Sequence, residues 1–97
     1  MHSYINKTEK LVPCCTYIKM REDNDFLIVI NENLQIEHLS QVAKDFYMNV
    51  DGTKTIEEIN QLLVQEYDVD YSVLQNDMLI FVKDLQWKKL ITLKEKI

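Results

Sequence analysis

The residues that could carry covalent or metal chemistry are few and badly spaced for it. Cys14 and Cys15 are the only cysteines. Adjacent cysteines seldom bridge each other, because the backbone between them must be strained to bring the sulfurs together, and no CxxC spacing is present. They read as two reduced thiols, packed as small apolar side chains at the start of a strand. A nucleophile needs a base beside it. The two histidines offer none: His2 sits in a polar N-terminal stretch and His38 in a strand far downstream. Glu22, Asp23 and Asp25 gather three carboxylates without the ordered spacing or the glycine of a calcium loop, and read as a solvated turn. Gly52 is the single glycine, too few for a loop that cradles phosphate. The residues imply no catalytic site, no metal and no cofactor, which leaves binding as the function class.

Composition narrows the partners. Sixteen acidic against eleven basic residues give a net charge of −5, which repels phosphate backbones and withholds the counterion release that nucleic-acid binding needs. The basic cluster Lys88, Lys89, Lys94 and Lys96 reads as a solvated helix end. Ninety-seven residues, 46% of them apolar, suit one domain with one modest core and no staples. No stretch reaches the roughly 18 apolar residues of a membrane span, and Met1 to Lys10 is too polar for a signal peptide, so the expected location is the cytoplasm with no membrane contact.

The elements that would position a binding site follow from the apolar pattern. Residues 1–12 read as a flexible arm and 13–97 as a single domain, because the first stretch is polar with scattered apolar residues and ends at Pro13. Tyr17, Ile18 and Met20 form a strand, Arg21 to Asp25 a polar turn, and Phe26 to Ile30 a continuous apolar run typical of a buried strand. After a turn at Asn31 to Asn33, Leu34 to Leu39 alternates, with Leu34, Ile36 and His38 on one face and Gln35, Glu37 and Leu39 on the other. A helix is predicted from about Ser40 to Val50, ended by Asp51-Gly52. Thr55 and Glu58 have the spacing of a capping box, so a second helix starts there, carries Ile56, Ile59, Leu62, Leu63 and Tyr67 in one stripe, and ends near Asp68. The third and longest helix starts near Ser72, with Asp70 as a rival cap. Leu74, Met78, Phe81, Val82 and Leu85 form its core stripe, and Val73, Asp77, Ile80 and Asp84 a neighbouring mixed one. Ile91-Thr92-Leu93 fits either a terminal strand or a helix tail. The predicted class is α+β, a three-stranded antiparallel meander followed by three helices.

In such a meander the Leu34–Leu39 strand lies at an edge, where its outward N–H and C=O groups lack partners. An extended peptide can add there as a further strand, read by a flanking groove. The third helix supplies that flank, with Val73, Ile80 and Phe81 as apolar contacts and Asn76, Asp77 and Asp84 as polar ones.

The chain also resembles a known family. Leu39-Ser40-x-Val42-Ala43-x-x-Phe46-Tyr47-x-x-Val50-Asp51-Gly52-x-x-Thr55-Ile56-x-x-Ile59, then Tyr67-Asp68-Val69-Asp70 and Asp77-Met78-x-x-Phe81-Val82-x-x-Leu85-x-x-x-x-Leu90-Ile91, is similar to the PqqD-like proteins over about residues 13 to 93. These are precursor-recognition elements of ribosomally synthesised, post-translationally modified peptides. The resemblance implies a winged helix-turn-helix-like fold that takes the leader segment of a precursor peptide as a strand on Leu34, Gln35, Ile36, Glu37, His38 and Leu39. Val73, Asn76, Asp77, Ile80, Phe81 and Asp84 would flank it. The resemblance also implies delivery to a modifying enzyme such as a radical SAM enzyme, a cyclodehydratase or a leader peptidase. Three positions depart from the family: Ser40 stands where asparagine is usual, Tyr47 where tryptophan is common, and Lys89 where glycine commonly precedes the final Leu-Ile. Two rival readings share the architecture. One is a winged helix-turn-helix DNA-binding protein, disfavoured because the third helix sets Lys83 against Asp77 and Asp84. The other is a homodimeric interaction module that pairs through the same edge.

Overall fold

The protein, as a computed structural model, is described over residues 7–96. The strands are β1 (Leu11–Cys15), β2 (Lys19–Asp23), β3 (Phe26–Ile30), β4 (Ile36–Ser40) and β5 (Ile91–Glu95). The helices are α1 (Gln41–Met48), α2 (Ile56–Tyr67) and α3 (Tyr71–Trp87). β2, β3 and β4 form an antiparallel meander with β4 at one edge, and three helices follow. The α+β class and the winged helix-turn-helix-like order expected from the sequence are present.

A second sheet, of β1 and β5 alone, was not anticipated as a unit. Leu11 pairs with Glu95 and Cys15 with Ile91, so the Ile91-Thr92-Leu93 ambiguity resolves to a strand. The arm expected over residues 1–12 falls outside the described residues as far as residue 6. Beyond that the chain departs from the expectation: residues 7–9 are helical and Leu11-Val12 lies in β1. Two burial events account for this. Val12 is in the core, and the carboxylate of Glu9 accepts from Tyr71 Oη at 2.8 Å, Gln75 Nε2 at 2.8 Å and Asn60 Nδ2 at 3.3 Å. A carboxylate so enclosed is tolerable only with such donors, and nothing in a linear sequence pairs Glu9 with residues on α2 and α3.

The core lies between the meander and the helices. Leu27, Val29 and Leu39 from the sheet meet Phe46 and Tyr47 of α1, Ile56, Ile59 and Leu63 of α2, and Leu74, Met78, Val82 and Leu85 of α3. Each side chain of this kind contributes about 1.5–3 kcal/mol by leaving water. Leu62, expected on the buried stripe of α2, is 44% exposed, and Asn60 takes an interior place instead. The Tyr47 hydroxyl donates to Leu90 O at 2.8 Å and fastens α1 to the start of β5.

Helix boundaries follow local chemistry. The capping box is present, with Glu58 N–H donating to Thr55 Oγ1 at 3.1 Å and Thr55 N–H to Glu58 Oε1 at 2.8 Å. α1 stops at Met48 rather than Val50, because Asn49 N–H closes on the Asp45 and Phe46 carbonyls and the side chain of Asn49 bonds Asp45 O. Asp51-Gly52 then makes the turn: Asp51 Oδ1 accepts from the Thr53 and Lys54 amides, and Gly52 sits at φ +82° with open space around a would-be Cβ. Glycine is there for its backbone conformation.

β4 begins at Ile36, two residues later than the alternation suggested. Asn31, buried, organises a turn in which Oδ1 accepts from the Asn33 and Gln35 amides at 2.9 Å each, and this places Leu34 at φ +64°. Leu34 and Gln35 belong to that turn, not to the strand. β2 is likewise shifted, to Lys19–Asp23, with Asn24 at φ +46° in the tight connection to β3.

Candidate functional site

β4 ends the meander without a further strand among the described residues. The phase of its hydrogen bonding follows from one contact. Asn31 N–H donates to Gln35 O at 3.1 Å, and Asn31 and Gln35 extend the register that pairs Ile30 with Ile36 and Val29 with Glu37. Hydrogen-bonded and non-hydrogen-bonded pairs alternate along an antiparallel ladder. Glu37 and Leu39 therefore bond inward to β3, whereas Ile36 and His38 turn their N–H and C=O groups to the open edge. The opposite edge, β2, reads Lys19-Met20-Arg21-Glu22-Asp23, and four charged side chains in five residues blunt it against pairing. β4 carries one carboxylate and one imidazole in the same length. It is the more receptive edge.

The side chains of β4 divide by the pleat. Glu37 and Leu39 share the helix-facing side with Val29 and Leu27. Leu39 is core, and the Glu37 side chain is 29% exposed. Ile36 and His38 face away from the helices, where the His38 ring meets Phe26 edge-on at 6.4 Å between centroids. Leu34 is exposed in the preceding turn.

On α3, Val73 and Ile80 are 56% and 69% exposed, and Asn76, Asp77 and Asp84 are exposed with them. Phe81 turns the other way and packs edge-on against Phe46 at 5.7 Å, so it supports the flank from the core. Two residues that the sequence reasoning did not nominate complete this side. Trp87 is 86% exposed, and it continues the spacing of Val73 and Ile80 at seven-residue intervals. Lys88 Nζ reaches Glu37 Oε2 at 2.6 Å and Asp84 Oδ2 at 2.9 Å, spanning β4 and α3. The hydrogen bonds to Glu37 and Asp84 hold the Lys88 ammonium above its ordinary pKa. Asn31 Nδ2 donates to Lys88 O at 2.7 Å, so the turn before β4 is tied to the end of α3 at the same place. The seven-residue spacing was visible in the sequence. The Lys88 bridge was not, since its partners are remote.

The structure brings Glu37 of β4 and Asp84 of α3 together through Lys88 and sets Val73, Asp77 and Ile80 exposed with Asp84 on the outer side of α3, whereas Ile36 faces away from the helices with His38. Leu39 and Phe81 lie inward, His38 and Leu34 on other faces, and Gln35 in the turn. Alternative chemistry gains nothing from the geometry. Cys14 and Cys15 lie side by side in β1, on a different sheet from His38, and burial pushes the Cys15 thiol up, away from the reactive thiolate. Among the described residues no group of three His, Cys, Asp or Glu side chains is placed to hold a metal, and no helix is long and apolar enough to cross a membrane. A concavity of about 780 Å³ lies elsewhere, at the start of α2, where Lys7, Lys10 and Lys96 face Glu57, Glu58 and Glu95. Its charges balance, and no set of polar groups converges there. Lys88, Lys89 and Lys96 are each engaged by carboxylates rather than gathered into a basic face.

The family model of Coenzyme PQQ synthesis protein D (PqqD) matches residues 27–91. The chain belongs to the PqqD family. That stretch runs from β3 to the first residue of β5 and includes the β4 edge and the whole of α3. PqqD proteins are precursor-peptide recognition elements, non-catalytic accessories that bind precursor peptides and work with modifying enzymes. No curated protein and no solved structure matches the chain. The departures from the PqqD pattern have a visible outcome. Ser40 holds the N-cap position of α1 in an extended conformation, but its side chain makes no capping bond. Tyr47 uses its hydroxyl to bond Leu90 O. Lys89, in the glycine position, adopts φ +58°. Its N–H bonds Gln86 O and the next N–H, of Leu90, bonds Leu85 O, a complete Schellman closure of α3. The turn keeps the geometry that suits glycine and carries the strain of a lysine.

Proposed function

We propose that this PqqD-family protein captures the leader segment of a ribosomal precursor peptide as a fourth strand of the meander, on the outward amides of Ile36 and His38, beside α3. It then presents that peptide to a separate modifying enzyme. A radical SAM enzyme, a cyclodehydratase or a leader peptidase would each suit such a role. The protein itself contributes no catalytic group. The observation that carries the reading is the contrast between the two sheet edges: β2 is protected by charge, whereas β4 is open and lies beside a helix with exposed apolar residues. Main-chain bonding would supply affinity that is largely independent of sequence, and α3 would read the side chains that alternate toward it. Lys88, bridging Glu37 and Asp84, fixes the spacing between strand and helix at one end of the groove.

The reading is tested with Ile36→Pro and His38→Pro. Each removes a donor from the open edge and leaves the β3 ladder intact. Titration of the synthetic leader of its cognate precursor should show each variant binding at least about tenfold more weakly, the loss of one well-made hydrogen bond. Circular dichroism checks that the variants stay folded. Folded variants that both bind like the parent would refute strand addition at this edge. Pairing of two copies through β4 would instead show as concentration-dependent mass in the absence of peptide.

A further inference from the structure

The outer side of α3 alternates along its length. Val73, Asp77, Ile80, Asp84 and Trp87 follow one another as apolar, acidic, apolar, acidic and apolar, all exposed. At a rise of about 1.5 Å per residue the intervals are about 4.5–6 Å. Same-face side chains of an extended strand recur about every 6.6 Å. A strand beside this helix, with a modest crossing angle, keeps three successive same-face residues opposite Ile80, Asp84 and Trp87. Charge is unequal in the same place. Glu37, Asp77 and Asp84 supply three carboxylates. Lys88 bonds two of them, and Lys83, which also has a partner, stands about 100° round the helix from Asp84. Even counting both lysines, acid is in excess.

We infer that the groove selects leader segments in which apolar and basic residues alternate on the face toward α3, a basic side chain joining Asp84 and Glu37 beside Lys88 and an apolar one covering Trp87. This rests on the strand-addition reading and gives it a substrate chemistry. Complementary charge across such a rim contributes more to discrimination than to affinity, because mismatched leaders meet like charge.

Trp87 provides the assay, being the only tryptophan and 86% exposed. The probes are the acetylated, amidated peptide Thr-Leu-Thr-Lys-Thr-Leu-Thr-Lys-Thr and its counterparts with Gln or with Glu at both Lys positions. Titrations follow the blue shift of Trp87 emission together with amide protection at Ile36 and His38. The expected order of affinity is Lys above Gln above Glu, with about tenfold between the extremes in dilute buffer. The span should narrow in about 0.5 M salt and close in the double variant Asp77→Asn, Asp84→Asn. Equal binding of the three peptides with protected β4 amides would overturn charge selection and leave strand addition standing. A Trp87 shift without that protection would place the peptide off the β4 edge and overturn both. An unshifted Trp87 with all three peptides, or a charge preference that survives in the double variant, would overturn the inference.

Discussion

Lys89 occupies a backbone position that suits glycine, and replacing it tests the local energetics directly. A left-handed conformation costs a non-glycine residue about 1–2 kcal/mol, whereas glycine loses about 0.5–1 kcal/mol more chain entropy on folding. The side chain contributes little to offset this. Its contact with Glu32 is 3.8 Å long between groups 61% and 62% exposed, an ion pair that adds at most a few tenths of a kcal/mol. The hydrogen bonds at the site involve only the Lys89 backbone, including the bond that Lys89 O accepts from Thr16 Oγ1, so all survive the change. Lys89→Gly should therefore raise stability by about 0.5–1 kcal/mol, or about 3–6 °C in midpoint for a chain of this size. Lys89→Ala, which keeps a Cβ in the same conformation, should stay close to the parent. Lys89→Val should lose about 1 kcal/mol. Urea unfolding followed by far-ultraviolet circular dichroism measures all three. Glycine no more stabilising than alanine would refute the account of how α3 ends.

Two further outcomes follow from buried polar contacts. Glu9→Ala strips the acceptor from Tyr71, Gln75 and Asn60 and should cost about 2 kcal/mol in urea unfolding, enough to show that this segment is part of the folded domain. The hydrogen bond from its hydroxyl to Asp45 pushes the Tyr67 pKa up to about 12. Burial raises Tyr47 and Tyr71 in the same direction, with Cys15 and Glu9 respectively adding to it. A folded pKa above the unfolded value means stability that is complete below pH of about 10 and declines as pH rises from 10 through 12. Urea midpoints across that range should fall, and Tyr67→Phe should flatten part of the decline.

The sequence disclosed what local chemistry writes in short spacings. The Thr55–Glu58 box, the alternation ending in Leu39 and the α3 stripe all stood in the chain, because capping and amphipathic periods act over one to four residues. The misjudged parts depended on remote partners. Leu11 and Val12 looked like the end of a polar arm until β5 and the core met Val12. Glu9 looked solvated because its three donors lie on α2 and α3. The start of β4 was set by the Asn31 side chain folding back on Gln35, which an apolar pattern does not encode. The candidate groove was half legible: the edge, the α3 residues and the seven-residue spacing that reaches Trp87 stood in the chain, whereas Phe81 turned inward and the Lys88 bridge entered only when Glu37 and Asp84 were brought together.

The central claim is that the open edge of β4 receives a peptide strand. Amide hydrogen exchange at Ile36 and His38, measured by NMR with and without saturating leader, tests it most directly. The account predicts that both outward amides slow by at least about tenfold on binding, while Glu37 and Leu39, already bonded to β3, change little. Leader binding that leaves Ile36 and His38 exchanging as in the free protein would contradict it.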